Sequence, residues 1–138
     1  MSLEERFLLE KQAVARVLVA FLAGDPELVQ NLSILLEKEL CDQVQFDHRH
    51  EDGSSLRECW KGLPSIHELV GKADSGIPQI AQIQGLADST YAFRLLVLAH
   101  LLGGLSGKPG AQAPFEAFLS TLGLGLAEVE TYRKDFVG

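Results

Sequence analysis

The feature that most limits what this chain can become is its apolar period. Hydrophobic residues recur at three- or four-residue spacing along almost its whole length, and no segment alternates apolar and polar positions through a β-branched run. Such a pattern builds helical stripes and no strand, so the chain is predicted to be all-α. The first stripe runs Leu3, Phe7, Leu8, Val14, Val17, Leu18, Phe21 and Leu22, with Glu4, Glu5, Glu10, Lys11 and Arg16 on other positions. A second carries Leu28, Val29, Leu32, Leu35, Leu36 and Leu40. The strongest spans Tyr91 to Leu102 and is apolar on most sides, through Phe93, Leu95, Leu96, Val97, Leu98, Ala99 and Leu101. A helix apolar all round is one surrounded by others, so this segment is expected at the centre of the fold.

Local signals place the ends. Ser2 with Glu5 three residues on is a capping-box pattern for the first helix, and Gly24 closes it. Asp25-Pro26 opens the second: Asp25 can accept first-turn amide hydrogens, and Pro26 lacks a donor that would be orphaned anyway. That helix is expected to end near Cys41. From Asp42 to Ser55 the period dissolves into the longest polar segment, read as a loop crossing between helical layers. Ser55 then caps a short helix through Leu56, Cys59 and Trp60. Pro64 starts another with Ile66, Leu69 and Val70, and a further short helix falls between Ser75 and Leu86, bearing Ile80 and Ile83. Asp88 or Ser89 caps the strong helix, and Gly103 to Pro109 forms a flexible connector. Phe115, Phe118 and Leu119 mark a helix stopped by Gly123; Leu126, Val129, Tyr132 and Phe136 mark the last. The expectation is a bundle of seven or eight helices. Arg16-Val17-Leu18-Val19 and Arg94-Leu95-Leu96-Val97 form a weak internal echo.

Composition narrows the class of protein. A chain of 138 residues suits one domain, and 46% hydrophobic with 22% charged residues suits a globular core. The net charge of −7 disfavours nucleic acid and anionic membrane surfaces as partners. Two cysteines, Cys41 and Cys59, are too few for a disulfide framework and are expected as reduced thiols. The N-terminal Glu4 and Glu5 stand where a signal peptide would be basic. Arg16 interrupts the run from Val14 to Ala23, and the run from Leu95 to Leu105 gives way to a Gly- and Pro-containing turn, so no transmembrane segment is expected. The expected location is cytoplasmic.

Chemistry-bearing residues are sparse. Cys41, Asp42, Asp47, His48, His50, Glu51 and Asp52 form the densest polar cluster, and His48 and His50 are the candidate metal ligands within it. No second ligand pair at fixed spacing closes a tetrahedral site, so a solvated loop is the plainer reading. His100 sits in the most apolar helix, where a hydrogen-bonded core histidine outweighs a heme or metal ligand. Arg94 is expected to pair with an acid or reach solvent. Nucleotide, P-loop and nucleophile-elbow motifs are all missing, and neither cysteine has a histidine base fixed by spacing, so no cofactor is expected. Trp60 is read mainly as core packing, with anchoring of a protein partner as the alternative.

Ala92-Phe93-Arg94-Leu95-Leu96-Val97-Leu98-Ala99-His100-Leu101-Leu102, a Gly-rich turn, then Phe115 to Leu124 and Leu126-Ala127-Glu128-Val129-Glu130 together resemble the tellurite-resistance TerB-like helical domains. The resemblance is best over residues 90–136 and looser from Ala13 to Leu40. It implies an all-helical, non-catalytic binding or adaptor module of a bacterial stress response, with a protein partner. It also implies a metal site of acids after the apolar helices. At the first such turn Gly24-Asp25-Pro26-Glu27 keeps the acids, making Asp25 and Glu27 candidate ligands; at the second, Ser106-Gly107-Lys108-Pro109 has a cation instead. The alternatives are a metal- or small-ligand-binding bundle using the Asp42 to Asp52 loop and, third, an enzyme.

Overall fold

Helix α1 (Leu3–Leu22) starts where Ser2 caps it: the Glu5 amide donates to Ser2 Oγ at 3.1 Å, and Ser2 Oγ donates back to Glu5 Oε1 at 3.1 Å. Helix α2 (Pro26–Asp47) opens on Asp25, whose Oδ1 accepts the Leu28 amide at 3.2 Å. The computed structural model describes residues 2–47, 53–76 and 78–137. Over these residues the chain is an all-α bundle: α3 (Gly53–Gly62), α4 (Ile66–Val70), a 3₁₀ turn (Ile80–Gln82), α5 (Gln84–Ala87), α6 (Tyr91–Leu105), α7 (Gln112–Thr121), α8 (Leu126–Tyr132) and a closing π turn (Arg133–Val137). No strand occurs among the described residues, and no helix there is long and apolar enough to cross a membrane.

Several boundaries differ from expectation, each for a local reason. Helix α2 does not stop at Cys41. Val44, one turn past Leu40, is buried with Cys41 and extends the stripe, and Gln43 Nε2 donates to Asp47 Oδ1 at 3.0 Å. The first part of the polar segment is therefore helix. Ser55 lies inside α3 rather than capping it, and α4 is capped by Ser65, whose Oγ accepts the Glu68 amide at 3.1 Å, rather than started by Pro64. The segment from Ser75 to Leu86 splits into the 3₁₀ turn and α5. The cap of α6 is Thr90, whose Oγ1 accepts the Phe93 amide at 3.2 Å, not Asp88 or Ser89. Gly103 and Gly104 belong to α6 instead of a connector. A Cβ on Gly104 would sit 3.1 Å from Leu28 Cδ2 and 3.2 Å from Leu22 Cδ1, so the bare backbone lets α6 close on α1 and α2. Gly123 ends α7 as expected. Its φ of +72° allows a Schellman turn in which the Leu124 amide donates to Leu119 O at 3.0 Å and the Gly123 amide to Ser120 O at 3.1 Å.

The centre of the bundle is α1 rather than α6 alone. Helix α1 touches α2, α3, α4, α5, α6 and the 3₁₀ turn, and from Ala13 to Leu18 every residue is buried. Helix α6 lies beside it against α2, α5, α8 and the last turn, with Val97, Leu98, Ala99 and Leu101 fully enclosed. Because α1 is surrounded, three of its charged residues are interior: Glu10, Lys11 and Arg16. Lys11 stands on the line Phe7, Val14, Leu18, so its position already lies on the apolar stripe. Its ammonium donates to Trp60 O at 2.7 Å and Glu37 Oε1 at 3.2 Å, and lies 4.6 Å from the Trp60 ring centroid. Glu37 Oε1 also accepts the Ile66 amide at 3.0 Å, and Trp60 Nε1 donates to Glu37 O at 3.1 Å. One carboxylate and one ammonium thus join four helices.

Arg16 and Arg94, the two arginines of the internal echo, do similar work. Arg16 NH1 donates to Asp74 O at 2.6 Å and Gly76 O at 2.7 Å, fastening the irregular stretch before the 3₁₀ turn onto α1. Arg94 NH1 reaches Ala87 O at 3.5 Å and Leu122 O at 3.4 Å. It serves backbone carbonyls, not the acid or solvent expected for it.

Two substitutions test this packing by chemical denaturation. Leu98→Ala should cost about 2–5 kcal/mol, because it opens a cavity in a fully enclosed site. Gly85→Ala should cost on the order of 3 kcal/mol, since a Cβ there collides with the rigid Leu9 carbonyl where α5 lies on α1. A cost below half a kcal/mol at either position contradicts the arrangement.

Candidate functional site

The expected site residues scatter. Asp25 is committed to its helix: besides capping α2, its Oδ2 lies 4.0 Å from Lys108 Nζ. Glu27 is exposed in the first turn of α2, where a carboxylate complements the helix dipole. His48 and His50, with Glu51 and Asp52, lie outside the described residues. Asp42 and Asp47 are on α2, and Asp47 is occupied by Gln43 and by Thr90 Oγ1 at 2.8 Å. No group of three or more His, Cys, Asp or Glu suited to a metal occurs among the described residues.

His100 is held through Nε2 by Glu39 Oε2 at 2.8 Å, the carboxylate partner a core histidine needs. His67 Nδ1 lies 3.4 Å from Ser33 Oγ. Trp60 is fully enclosed, packed edge-on against Phe7 with ring centroids 5.4 Å apart. It fills the core between α1, α2 and α3, which removes it as a partner anchor. Cys41 and Cys59 are both free. Burial pushes both thiols above their ordinary range, helped by Asp42 beside Cys41 and Glu4 near Cys59, so neither is a ready thiolate nucleophile.

What the structure does bring together is a set of cations. The turn after α6 and the C-terminal helix enclose an open cleft of about 800 Å³, in the size range of small-ligand sites. Its walls carry Lys108 from the turn and Arg133 and Lys134 from the end of the chain, with one carboxylate, Glu130, among them. The half-buried Leu102 and the exposed Pro109 supply apolar surface, with Leu105 and Phe115 buried, and Ser106 and Gln112 supply hydrogen-bonding groups. The Arg133 guanidinium packs against Gly103: a Cβ on that glycine would meet Arg133 Nε at 3.2 Å. A side chain at this position would press the half-buried guanidinium aside by a few tenths of an ångström. Among the described residues neither Arg133 nor Lys134 has a carboxylate within ion-pair distance. In a chain of net charge −7, such a pair of uncompensated cations is a local reversal of field.

A second cavity of about 280 Å³, between Phe21, Pro78, Ile80, Ile83, Pro114 and Phe118, is walled mostly by apolar atoms and has no charged group. It has nothing to orient a polar ligand, so the cation-lined cleft is the better candidate.

This cleft is not legible in the sequence: Lys108 reads there only as a cation in place of an acid, and Arg133-Lys134 belong to no motif. The available signal was a basic pair ending an acidic chain, but its meaning depends on the approach of residues thirty positions apart (Gly103 and Arg133). No family model matches the chain, and neither a curated protein nor a solved structure matches it significantly.

A separate group in the interior predicts a pH response. Glu10 is almost fully enclosed, and burial raises its carboxyl from 4.5 to about 7, opposed by Arg6, whose Nε is 3.7 Å away, and reinforced by Asp47. A carboxyl raised on folding stabilises the fold fully below pH 4.5, and that contribution disappears as pH rises through 7. The loss is on the order of 3 kcal/mol. Glu10→Gln should therefore remove this slope and leave the variant more stable than wild type at pH 8. Urea titrations across pH 4 to 8 in which the two proteins stay parallel would contradict it.

Proposed function

We propose that this chain is a non-catalytic binding domain, an adaptor of the TerB-like kind, that receives an anionic group in the cleft between the α6–α7 turn and the C-terminal helix. The observation that carries the reading is the Arg133 guanidinium beside Gly103 without a carboxylate partner among the described residues. A half-buried charge left unpaired is costly, and a ligand anion would offset that cost on binding. The cleft lies wholly within residues 90–136, the part of the chain that carries the family resemblance. The stress-response setting and a protein partner follow from that resemblance.

A non-catalytic role is supported by what the reactive groups are doing. The interior lysine and glutamate hold helices together, His100 is bound to Glu39, and both thiols are raised by burial. A metal-binding alternative through Asp25 and Glu27 gains no support, because the Asp25 carboxylate already caps α2 and faces Lys108.

Thermal melts in inorganic phosphate, against sodium chloride at matched ionic strength, test the reading. A ligand held only by the folded state at ten times its Kd adds about 1.4 kcal/mol. In a domain of this size that raises Tm by a few degrees. Arg133→Gln and Lys134→Gln should each reduce the shift. An equal rise in chloride, or an undiminished rise in both variants, would sink the proposal.

A further inference from the structure

We infer that the ligand of this cleft is a soluble phosphate ester carrying an apolar ring or chain, a deeper claim that rests on the anion-binding reading above. The basis is the division of the lining. Arg133 and Lys134 come from the last turns of the chain and have no ion-pair partner among the described residues, whereas Lys108, from the α6–α7 turn, lies 4.0 Å from Asp25 Oδ2. A phosphate presents oxygens in several directions and can be met by an ammonium and a guanidinium together, and a guanidinium donates to two of them at once. Beside the cations, the half-buried Leu102 and the exposed Pro109 leave apolar surface that a bare inorganic anion cannot cover. Apolar surface beside convergent charge favours a ligand with both parts. Among the described residues Glu130 is the one acid in the lining; it repels a second anionic group but accepts a hydroxyl.

The same phosphate chemistry could come from a lipid headgroup. The charge of the whole chain argues for the soluble source: at −7, an anionic bilayer repels the molecule at long range, while a small ligand inside the cleft feels chiefly the nearby cations. The cations also lie near the C-terminal end of α6, whose free carbonyls attract positive charge. If serving that helix end were their only task, replacing them would lower stability and leave ligand affinity unchanged.

Calorimetric titration of the intact chain with phenyl phosphate, inorganic phosphate and phenol separates these cases. Phenyl phosphate should bind at least tenfold more tightly than inorganic phosphate, and phenol should give no measurable heat. A tenfold gain corresponds to about 1.4 kcal/mol. Covering roughly 55 Å² of apolar surface supplies that much, less than a phenyl ring offers. Arg133→Gln should weaken phenyl phosphate at least tenfold; the exposed Lys134→Gln, which puts no packing at risk, should weaken it several-fold. Equal affinity for the two phosphates overturns this inference while leaving the anion-binding reading in place. Failure of both phosphates to bind overturns that reading as well. Cosedimentation with phosphatidylcholine vesicles containing phosphatidic acid, at physiological salt and together with weak phenyl phosphate binding, overturns the soluble source. Unchanged affinity in both variants overturns the site.

Discussion

The interaction on which the rest of this bundle depends is the burial of the Lys11 ammonium against the Glu37 carboxylate. An ammonium taken from water must find its donors' partners inside, and here they are a carboxylate, the Trp60 carbonyl and the face of the Trp60 ring. The carboxylate belongs to α2 and both Trp60 groups to α3. The same carboxylate then accepts the first amide of α4, an N–H that helix geometry leaves without an intrahelical acceptor. So one charge pair sets the approach of α1, α2, α3 and α4, and removing Glu37 would leave the Lys11 ammonium buried without a carboxylate. An apolar pair would pack the same space without specifying which turn of α1 faces which turn of α2.

Around that node the molecule closes by two contrasting devices. On one side it removes side chains: at Gly85 the α5 backbone lies on the Leu9 carbonyl, and at Gly104 the end of α6 lies on Leu22 and Leu28. On the other it extends long polar side chains to irregular backbone, as Arg16 does to Asp74 and Gly76, and Arg94 to Ala87 and Leu122. Both devices satisfy a physical need of a small helical domain. Short helices and turns cannot bury their own polar backbone, and a central helix must supply either clearance or donors.

The candidate site follows from where this closure stops. The C-terminal turn is held by Arg133 on Gly103 and by the Tyr132–Phe136 ring pair, with centroids 4.9 Å apart, but it does not seal against the α6–α7 turn. The gap keeps Leu102 and Pro109 beside Arg133 and Lys134 in a chain of net charge −7. Tyr91 donates to Glu128, and the Gly125 amide donates to that same carboxylate at 2.9 Å, so α8 is anchored to α6 on the face away from the cations. That anchoring gives the cleft a fixed wall to which Arg133 and Lys134 are attached.

Periodicity and end signals, which act over three to five residues, made much of the fold legible from sequence alone. The all-α class, the Ser2, Asp25 and Gly123 termini, and the buried stripe of α6 are local consequences of helical spacing, amide capping and backbone sterics. The run to Asp47 was half legible, since Val44 extends the stripe but its polar neighbours disguise it. Interior placement of Glu10, Lys11 and Arg16 was not legible as such, because polarity predicts exposure unless distant partners meet the charge. Those partners, Glu37, Trp60, Asp74 and Gly76, lie far along the chain. The cation-lined cleft likewise required the last turn to meet the end of α6. Sequence by itself determined what each segment would form; tertiary structure decided which charges would be buried, which would be paired, and which would be left facing an open cleft, because electrostatic and packing energies depend on distance in space and not on separation along the chain.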